Sequence, residues 1–289
     1  MVELVLDAGA LLGESPRWSV SEQRLYWVDI EGQAIHRTDP KKGADEVMLL
    51  DQQVGRVAPR AGGGLVVAME DSCALIDRWG AAPRPFGPAV LANKPEQRFN
   101  DGCVDDAGRL WVGSLTSDKA HPTATLYRLG PDGSLTVVFD GLLTSNGAAF
   151  SPDGRTFYHA DTPTHAVRAF DVDQTTGTLS AGRVFHQFPF GNGRPDGAAV
   201  DAEGCYWSAL WDGWRVVRLS PAGELLQTLE LPVQRPTMIA FGGADMQTAF
   251  VTSAGKNLSD DERKAQPHAG GVFAFRVAVP GWVQPAFAG

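Results

Sequence analysis

Short apolar runs rich in β-branched and aromatic residues recur along the chain, separated by glycine, proline and acidic residues. The clearest runs are LYWVDI, GLVVAM, RLWVGSL, LTVVFD, TFYHAD, CYWSAL, RVVRLS, TAFVTS and GVFAFRV. Runs of this composition, bounded by turn-forming residues, are typical of β-strands. No apolar pattern with a helical period continues over three turns, so the sequence predicts an all-β protein.

Three segments of the chain share one pattern. They are NDGCVDDAGRLWVGSL from Asn100, SNGAAFSPDGRTFYHAD from Ser145 and PDGAAVDAEGCYWSAL from Pro195. Each contains an Asx-Gly pair, an apolar run, a tight turn and a second apolar run. This order predicts two strands joined by a hairpin, and a third predicted strand follows in each segment.

Weaker copies extend the repeat to six units, spaced 41 to 50 residues apart. Their equivalent first residues are Glu14, Arg56, Asp101, Asn146, Asp196 and Thr237. A period in the forties, with three or four short strands per unit, is typical of a β-propeller. The sequence therefore predicts an all-β, six-bladed β-propeller that uses residues 1–289 as a single domain.

A propeller must also close its ring. The strand predicted at residues 3–8 precedes the first unit, and we expect it to pair with the last unit beside residues 272–276. A β-sandwich is the competing architecture, but a sandwich does not need six copies of one motif.

The six equivalent residues are expected to face one mouth of the central channel, because the first strand of each blade lies nearest the axis. Glu14, Asp101 and Asp196 would then bring three carboxylates together, and these would repel one another. A bound divalent cation is the simplest solution, with Arg56 neutralising part of the remaining charge. In the alternative interpretation, the three Asx-Gly pairs only form turns.

The donor types limit the choice of ion. Glu, Asp and Asn supply hard oxygen ligands, and no histidine or cysteine is among them, which favours calcium, magnesium, manganese or ferrous iron over a structural zinc site. We expect one divalent metal ion, and Ca, Mn, Mg, Fe(II) and Zn all remain candidates.

Composition and charge exclude several classes of partner. Lys and Arg number 25 against 34 Asp and Glu, and the net charge of −9 argues against nucleic acid and anionic membranes. No stretch approaches the roughly 18 apolar residues that a membrane span needs. The first residues do not resemble a secretory signal, and the three cysteines have neither disulfide-framework nor zinc spacing. We therefore expect a cytoplasmic protein, monomeric or weakly homo-oligomeric.

Few other residues suggest chemistry. The chain has no G-x-S-x-G, H-E-x-x-H or Walker motif. We interpret His159, on a predicted strand, as a packed or rim residue, whereas His121 lies in a loop that could reach the mouth. Trp211 and Trp214 follow a strand of the fifth unit and could form the wall of a pocket.

The chain resembles the SMP-30/gluconolactonase/luciferin-regenerating-enzyme family in four segments: Leu12-Gly13-Glu14-Ser15-Pro16, Arg98-Phe99-Asn100-Asp101-Gly102, Ser145-Asn146-Gly147 and Pro195-Asp196-Gly197. The stretch from Gln266 to Phe273 resembles the family's last blade. The resemblance implies a six-bladed propeller with one divalent ion on its axis. Glu14, Asn146 and Asp196 would be the metal ligands, Arg98 and Asn100 would bind substrate, and Asp101 would contact substrate or support the site.

The activity implied by the resemblance is hydrolysis of a sugar-acid lactone, which makes the protein a carboxylic-ester hydrolase with a small-molecule partner. Asp196 is the candidate catalytic base. In the alternative, Asp196 is only a metal ligand that orients the attacking water. Animal members often carry an acidic residue after the second strand of the third unit, and no equivalent is evident in residues 114–118. Two alternatives stay open: a non-catalytic, calcium-stabilised binding propeller, and a metal-dependent aryl-ester or phosphotriester hydrolase.

Overall fold

Six antiparallel sheets, arranged as blades around a central axis, make up the computed structural model, which describes residues 1–289. The six-bladed propeller predicted from the repeat is confirmed. The inner strands of neighbouring blades contact one another in a closed circle, so each blade packs against two others. The interface between neighbouring blades is the main place where apolar side chains are buried.

The strand bounds follow chain order. The first strand, β1 (Glu3–Leu6), belongs to the last blade. Blade one contains β2 (Gly13–Ser19), β3 (Arg24–Asp29), β4 (Ala34–Asp39) and β5 (Ala44–Leu49). Blade two contains β6 (Val54–Pro59), β7 (Leu65–Met69), β8 (Cys73–Ile76) and β9 (Arg84–Pro85). Blade three contains β10 (Gln97–Val104), β11 (Leu110–Thr116), β12 (Ala124–Leu129) and β13 (Leu135–Leu142).

Blade four has a fifth strand: β14 (Ser145–Phe150), β15 (Thr156–Asp161), β16 (Ala166–Asp173), β17 (Thr178–Leu179) and β18 (Arg183–Gln187). Blade five contains β19 (Arg194–Val200), β20 (Tyr206–Trp211), β21 (Arg215–Leu219) and β22 (Leu225–Glu230). Blade six contains β23 (Pro236–Gly242), β24 (Thr248–Ser253) and β25 (Val272–Arg276), and β1 pairs with β25 as its outer strand.

Helix is almost absent. A short 3₁₀ helix spans Thr162–Thr164, and one α-helix, α1, spans Asp260–Ala265 and begins with a capping box formed by Ser259 and Glu262. Neither helix has the length and apolar character needed to cross a membrane.

Tryptophan side chains pack the second strand of three blades. Trp27, Trp111 and Trp207 are among the largest fully buried or nearly fully buried side chains. The indole N–H of Trp111 donates to Asp105 and that of Trp207 donates to Asp201, at 2.8 and 2.9 Å. Each ring therefore buries its apolar face while its single polar atom keeps a hydrogen-bond partner.

The inner strand of every blade is irregular at the same place. The pairing register shifts between Glu14 and Arg17 in β2, between Asn146 and Ala149 in β14, and at the corresponding point of the other four inner strands. An irregularity of this kind redirects a side chain that would otherwise follow the strand's alternation, and is frequent beside active sites. The irregularities lie at the repeat positions of the sequence.

The Asx-Gly pairs occupy these irregularities. Asp101-Gly102, Asn146-Gly147 and Asp196-Gly197 lie inside β10, β14 and β19, so the interpretation of the pairs as turns is wrong. Gly147 shows why glycine is required: its φ is +59°, and an added Cβ would collide with the hydroxyl group of Tyr206. That hydroxyl donates to the carbonyl oxygen of Gly147 at 2.9 Å, so the neighbouring blade approaches the backbone closely.

Candidate metal centre

Carboxylates fix the backbone that leads into two of the inner strands. Asp29, at the end of β3, accepts hydrogen bonds from the N–H groups of Leu11 and Leu12, each at 2.9 Å. Asp161, at the end of β15, accepts from the N–H groups of Leu143 and Thr144 at 3.2 and 2.8 Å. The segments that carry Glu14 and Asn146 therefore enter their blades along defined paths.

A cavity opens where the first residues of several inner strands meet at one end of the axis. Its wall consists of Leu12, Glu14, Arg98, Asn100, Leu115, Lys119, Thr144, Asn146, Thr162, Arg194, Asp196, Trp211 and Lys256. The structure thus brings together five of the six predicted site residues. A larger groove lies between blades four and five at the hairpin turns near Pro152 and Glu203, at the far end of the inner strands from the predicted residues.

Glu14 and Asp196 are two buried carboxylates facing this cavity, with 6% and 5% of their surfaces exposed. The only hydrogen bond that the Glu14 carboxylate accepts is from the N–H of Ser15, at 2.9 Å. The Asp196 carboxylate accepts none from the protein. Burial, followed by repulsion from Asp101, raises the pKa of Glu14, and burial, followed by repulsion from Glu14, raises that of Asp196. Two such groups require a proton or a cation nearby.

Hydrogen bonds fix the amide side chains beside these carboxylates. Asn146 donates through Nδ2 to Oγ1 of Thr162 at 2.8 Å, and Thr162 donates to the carbonyl oxygen of Pro195 at 2.7 Å. This contact orients Oδ1 of Asn146, which accepts from Nδ2 of Asn100 at 2.9 Å. Because an amide oxygen has two lone pairs, one remains for a ligand.

Arg98 extends the same chain of contacts. Its Nη1 donates to Oδ1 of Asn100 at 2.8 Å and to the carbonyl oxygen of Phe99 at 2.9 Å. The other guanidinium nitrogens make no hydrogen bond within the protein and can reach a bound molecule. Burial lowers the pKa of Arg98 to about 10, while Glu14 and other carboxylates act in the opposite direction. The side chain therefore stays protonated at neutral pH.

Asp101 does not line the cavity, which differs from its predicted contact with substrate. It forms a fully buried ion pair with Arg56, with Nη1 and Oδ1 3.5 Å apart and each side chain only 1% exposed. Its carboxylate also accepts from the N–H groups of Gly102 at 2.6 Å and Ala148 at 3.0 Å. With these partners, its oxygens join β10 to β14. Burial is the main cause of its raised pKa.

The six repeat positions therefore divide into two groups of three. Glu14, Asn146 and Asp196 line the cavity, whereas Arg56, Asp101 and Thr237 do not. Thr237 instead donates to the carbonyl oxygen of Gly13. The expectation that all six residues face the mouth holds for the first group alone.

Trp211 lines the cavity as expected and His159 is buried, whereas Trp214 and His121, the other two candidates for the mouth, lie outside the cavity wall. Trp214 is 39% exposed and lies outside the cavity wall, and His121 points to Asp118 on an exposed loop. Lys119, Arg194 and Lys256 also line the cavity. They come from loops or strand starts without any shared motif, so no pattern in the sequence points to them.

The donor set suits a hard cation. Glu14, Asp196 and Asn146 present carboxylate and amide oxygens with unused acceptor capacity to one space, and oxygen donors of this kind are the ligands that calcium and magnesium prefer. Arg98 and Asn100 lie along the same wall and can bind the hydroxyl groups of a polar molecule. The arrangement can therefore hold a divalent ion and a small polyhydroxylated ligand side by side.

Comparisons with known proteins agree with this architecture. Residues 12–255 match the sequence model described as SMP-30/Gluconolactonase/LRE-like region. A 6-deoxy-6-sulfogluconolactonase of Pseudomonas putida is 41% identical over 100% of this chain and 99% of its own. A pentonolactonase of Haloferax volcanii is 35% identical over 97% of this chain and 96% of its own. A crystal structure described as a calcium-binding protein, regucalcin, from Agrobacterium tumefaciens superimposes with a TM-score of 0.94 and 27% identity, covering 98% and 96% of the two chains.

Proposed function

The chain belongs to the SMP-30/gluconolactonase/LRE-like family, and we propose that it hydrolyses a sugar-acid lactone to the corresponding aldonic acid with the help of one divalent metal ion. The observation that carries this proposal is the pair of buried carboxylates, Glu14 and Asp196, which face a polar cavity and form no ion pair within the protein. Glu14 accepts one backbone hydrogen bond, and Asp196 accepts none. The names of two relatives, a sulfogluconolactonase and a pentonolactonase, support a lactone as the substrate class.

The metal would be held by Glu14, Asn146 and Asp196. When bound, such an ion supplies Lewis-acid polarisation of the ester carbonyl group. The relative described as calcium-binding supports a divalent ion, and the oxygen ligands suit calcium, manganese or magnesium. Thr162 keeps the amide of Asn146 oriented, so the ligand oxygen is positioned before an ion arrives.

The remaining residues would bind and orient the sugar. Arg98 has free N–H groups for hydroxyl or ring oxygens, and its contact with Asn100 limits the movement of both side chains. Trp211 forms an apolar part of the wall against which a sugar ring can pack. A lactone held in this way presents one face of its carbonyl carbon to water, which reduces the entropy lost in reaching the transition state.

Asp196 would accept the proton of the attacking water. Its oxygens make no hydrogen bond to the protein, and its burial favours proton uptake. Asp101 would act indirectly, because its bonds to Arg56, Gly102 and Ala148 fix the strand positions around the cavity.

The test is hydrolysis of a lactone panel, measured by acid release, after removal of metal with a chelator and after addition of each candidate ion. We expect activity on at least one aldonolactone, its loss on chelation and its return with metal. Paraoxon-like phosphotriesters and aryl esters serve as the comparison. The proposal is contradicted if, with metal present, no lactone is hydrolysed faster than its spontaneous rate. An esterase or a non-catalytic binding propeller would then be the remaining interpretations.

A further inference from the structure

Four basic side chains line the cavity above Glu14 and Asp196, although the net charge of the protein is −9. They are Arg98, Lys119, Arg194 and Lys256. Glu14 and Asp196 are the only acidic residues in the same wall, so the charge around the cavity is opposite in sign to that of the whole chain. Such a local excess attracts an anionic ligand.

Two of the four cations already have carboxylate partners. Nη2 of Arg194 lies 2.7 Å from Oδ2 of Asp212, and Nζ of Lys256 lies 2.5 Å from Oε1 of Glu31. Both pairs are partly exposed, so solvent weakens them, and the cations still contribute positive potential to the cavity. Neither pair leaves an isolated charge that requires a ligand.

Lys119 has no such partner. Its ammonium group takes part in no hydrogen bond and no ion pair, and Arg98, the other cation of the wall, is bonded only to a carbonyl and an amide oxygen. Lys119, Arg194 and Lys256 line the same cavity. Partial desolvation of Lys119 at the cavity mouth, followed by the charges of Arg194 and Lys256, lowers its pKa.

The loop that carries Lys119 is held in a defined turn. Lys119 itself has φ +49°, a left-handed conformation that is uncommon for residues other than glycine. Asp118 fixes the turn, since its Oδ1 accepts from the N–H of Ala120 at 3.0 Å and its Oδ2 lies 2.6 Å from Nδ1 of His121. The turn presents Lys119 to the cavity from the exposed rim, whereas the carboxylates are buried below.

A divalent ion held by Glu14 and Asp196 would balance their two negative charges. Arg98 and Lys119 would then be the uncompensated charges of the wall. Arg98 lies beside Asn100 among the residues proposed to hold the lactone, and Lys119 lies at the rim. Lys119 is therefore the charge of the wall that has no partner in the protein and lies outside the residues proposed to hold the metal and the lactone ring.

We propose that the lactone carries an anionic substituent, such as a sulfonate, phosphate or carboxylate, on the end distant from the ester, and that Lys119 pairs with it. Arg194 and Lys256 add positive potential at the same place. This inference rests on the proposed lactonase function and specifies its substrate class. A neutral sugar lactone leaves the ammonium group of Lys119 without a partner, whereas an anionic one forms a charge-assisted hydrogen bond with it.

The first experiment compares gluconolactone with gluconolactones that carry a sulfonate, a phosphate or a carboxylate at C6, in the metal-loaded protein. We expect kcat/KM to be at least about tenfold higher for the charged substrates, the size typical of one hydrogen bond to a charged group. Lys119→Gln should remove this advantage by raising KM, and Lys119→Arg should retain most of it. In Lys119→Gln, the loss of kcat/KM should be several times larger for the charged substrates than for neutral gluconolactone. Lys42→Gln, which removes an exposed lysine elsewhere, is the matched control.

The second experiment does not depend on turnover. Calorimetry measures the binding of 1,5-anhydroglucitol 6-phosphate, a cyclic sugar without an ester, and of unphosphorylated 1,5-anhydroglucitol. Tighter binding of the phosphate form that is lost in Lys119→Gln supports the anion site, even if every lactone proves inert and the proposed lactonase function fails. Equal binding of both forms, or equal effects of Lys119→Gln on charged and neutral lactones, would overturn the inference while leaving the lactonase proposal in place.

Discussion

Replacing Asp196 with asparagine is expected to stabilise the metal-free protein while weakening metal binding. Asparagine keeps the size of the side chain, and Asn146 already occupies the equivalent position in blade four. The substitution therefore removes a charge with little change in packing. The affected charge is buried, accepts no hydrogen bond from the protein and is repelled by Glu14 and Asp101.

The size of the effect follows from these contacts. A buried polar group without a partner destabilises a protein by about 1–3 kcal/mol, and more when it is charged. In Asp196 the pKa is raised above its usual value of 3.8. The folded state therefore binds more protons than the unfolded state above that pH, and the free energy of unfolding of the metal-free wild type falls as pH rises. Asp196→Asn removes this pH-dependent loss of stability. The free energy of unfolding of the metal-free variant should therefore exceed that of the wild type by about 1–3 kcal/mol at pH 8, and the two should be almost equal at pH 4.

The matched control is Asp201→Asn, the same chemical change at a carboxylate with a full set of partners. Asp201 accepts from the N–H groups of Glu203 and Cys205, both at 3.0 Å, and from the side chains of Trp207 and Arg218 at 2.9 and 2.8 Å. The new amide nitrogen cannot accept from two of these donors, and the ion pair with Arg218 is broken. Breaking a buried pair costs about 3–5 kcal/mol, so this variant should lose stability.

Urea unfolding at pH 4 and pH 8, in excess chelator, measures the free energy of unfolding of both variants and of the wild type. Calorimetric titration with calcium or manganese then measures metal affinity, which we expect Asp196→Asn to lower by more than about a hundredfold, since second-sphere changes alone lower it about 10- to 100-fold. At saturating metal, its lactonase activity should remain about 100- to 10,000-fold below wild type, because the proton acceptor is lost.

Two results would refute this reasoning. If metal-free Asp196→Asn is less stable than the wild type at pH 8, the carboxylate has stabilising contacts that its lack of hydrogen bonds does not suggest. If activity returns to the wild-type level once metal occupancy is restored, Asp196 acts as a ligand and another group accepts the proton.

Three further predictions concern the same region. Asn146→Asp should keep or tighten metal binding because it adds a negative ligand, and should lower activity less than Asp196→Asn does, in assays at measured metal occupancy. Chelation should lower the thermal midpoint by about 5 °C, since an ion at a hundred times its dissociation constant contributes about 2.7 kcal/mol, and an unchanged midpoint would argue against a bound ion. Burial lowers the pKa of His159 from 6.5 to about 3. Between these two pH values, the imidazole is protonated in the unfolded state and neutral in the folded state, so the free energy of unfolding falls as the pH drops through that range. His159→Gln should flatten this dependence in urea titrations, whereas His121→Gln, on an exposed loop, should leave it unchanged.

Much of the fold could be read from the chain because a propeller repeats one local pattern. Each blade needs the same alternation of apolar runs and turns, so the pattern at Asn100, Ser145 and Pro195 reveals the unit and its period. Residues at equivalent repeat positions occupy equivalent places around the axis. For this reason, the spacing and the family resemblance were enough to expect Glu14, Asn146 and Asp196 beside one another.

Tertiary structure alone decided the direction in which each of these side chains points. The Asx-Gly pairs lie at irregularities in the pairing of β10, β14 and β19, so they are strand residues and not turns. A single Asx-Gly pair in the sequence is compatible with either structure. Asp101 turns to Arg56 and to the N–H groups of a neighbouring blade, because those partners satisfy its charge in the interior. Its partners on blades two and four come from distant parts of the chain, so no local sequence pattern determines which groups Asp101 contacts.

The basic rim of the cavity also depends on the tertiary structure. Lys119, Arg194 and Lys256 lie in different blades, with no shared motif or spacing, and they meet because closure of the ring brings unlike loops to one mouth. The sequence by itself determined the repeating strands, the number of blades and the residues at equivalent inner positions, since these follow from local patterns with a fixed period. The surroundings of each charge, and therefore its partner, were decided by packing between blades that are far apart in sequence.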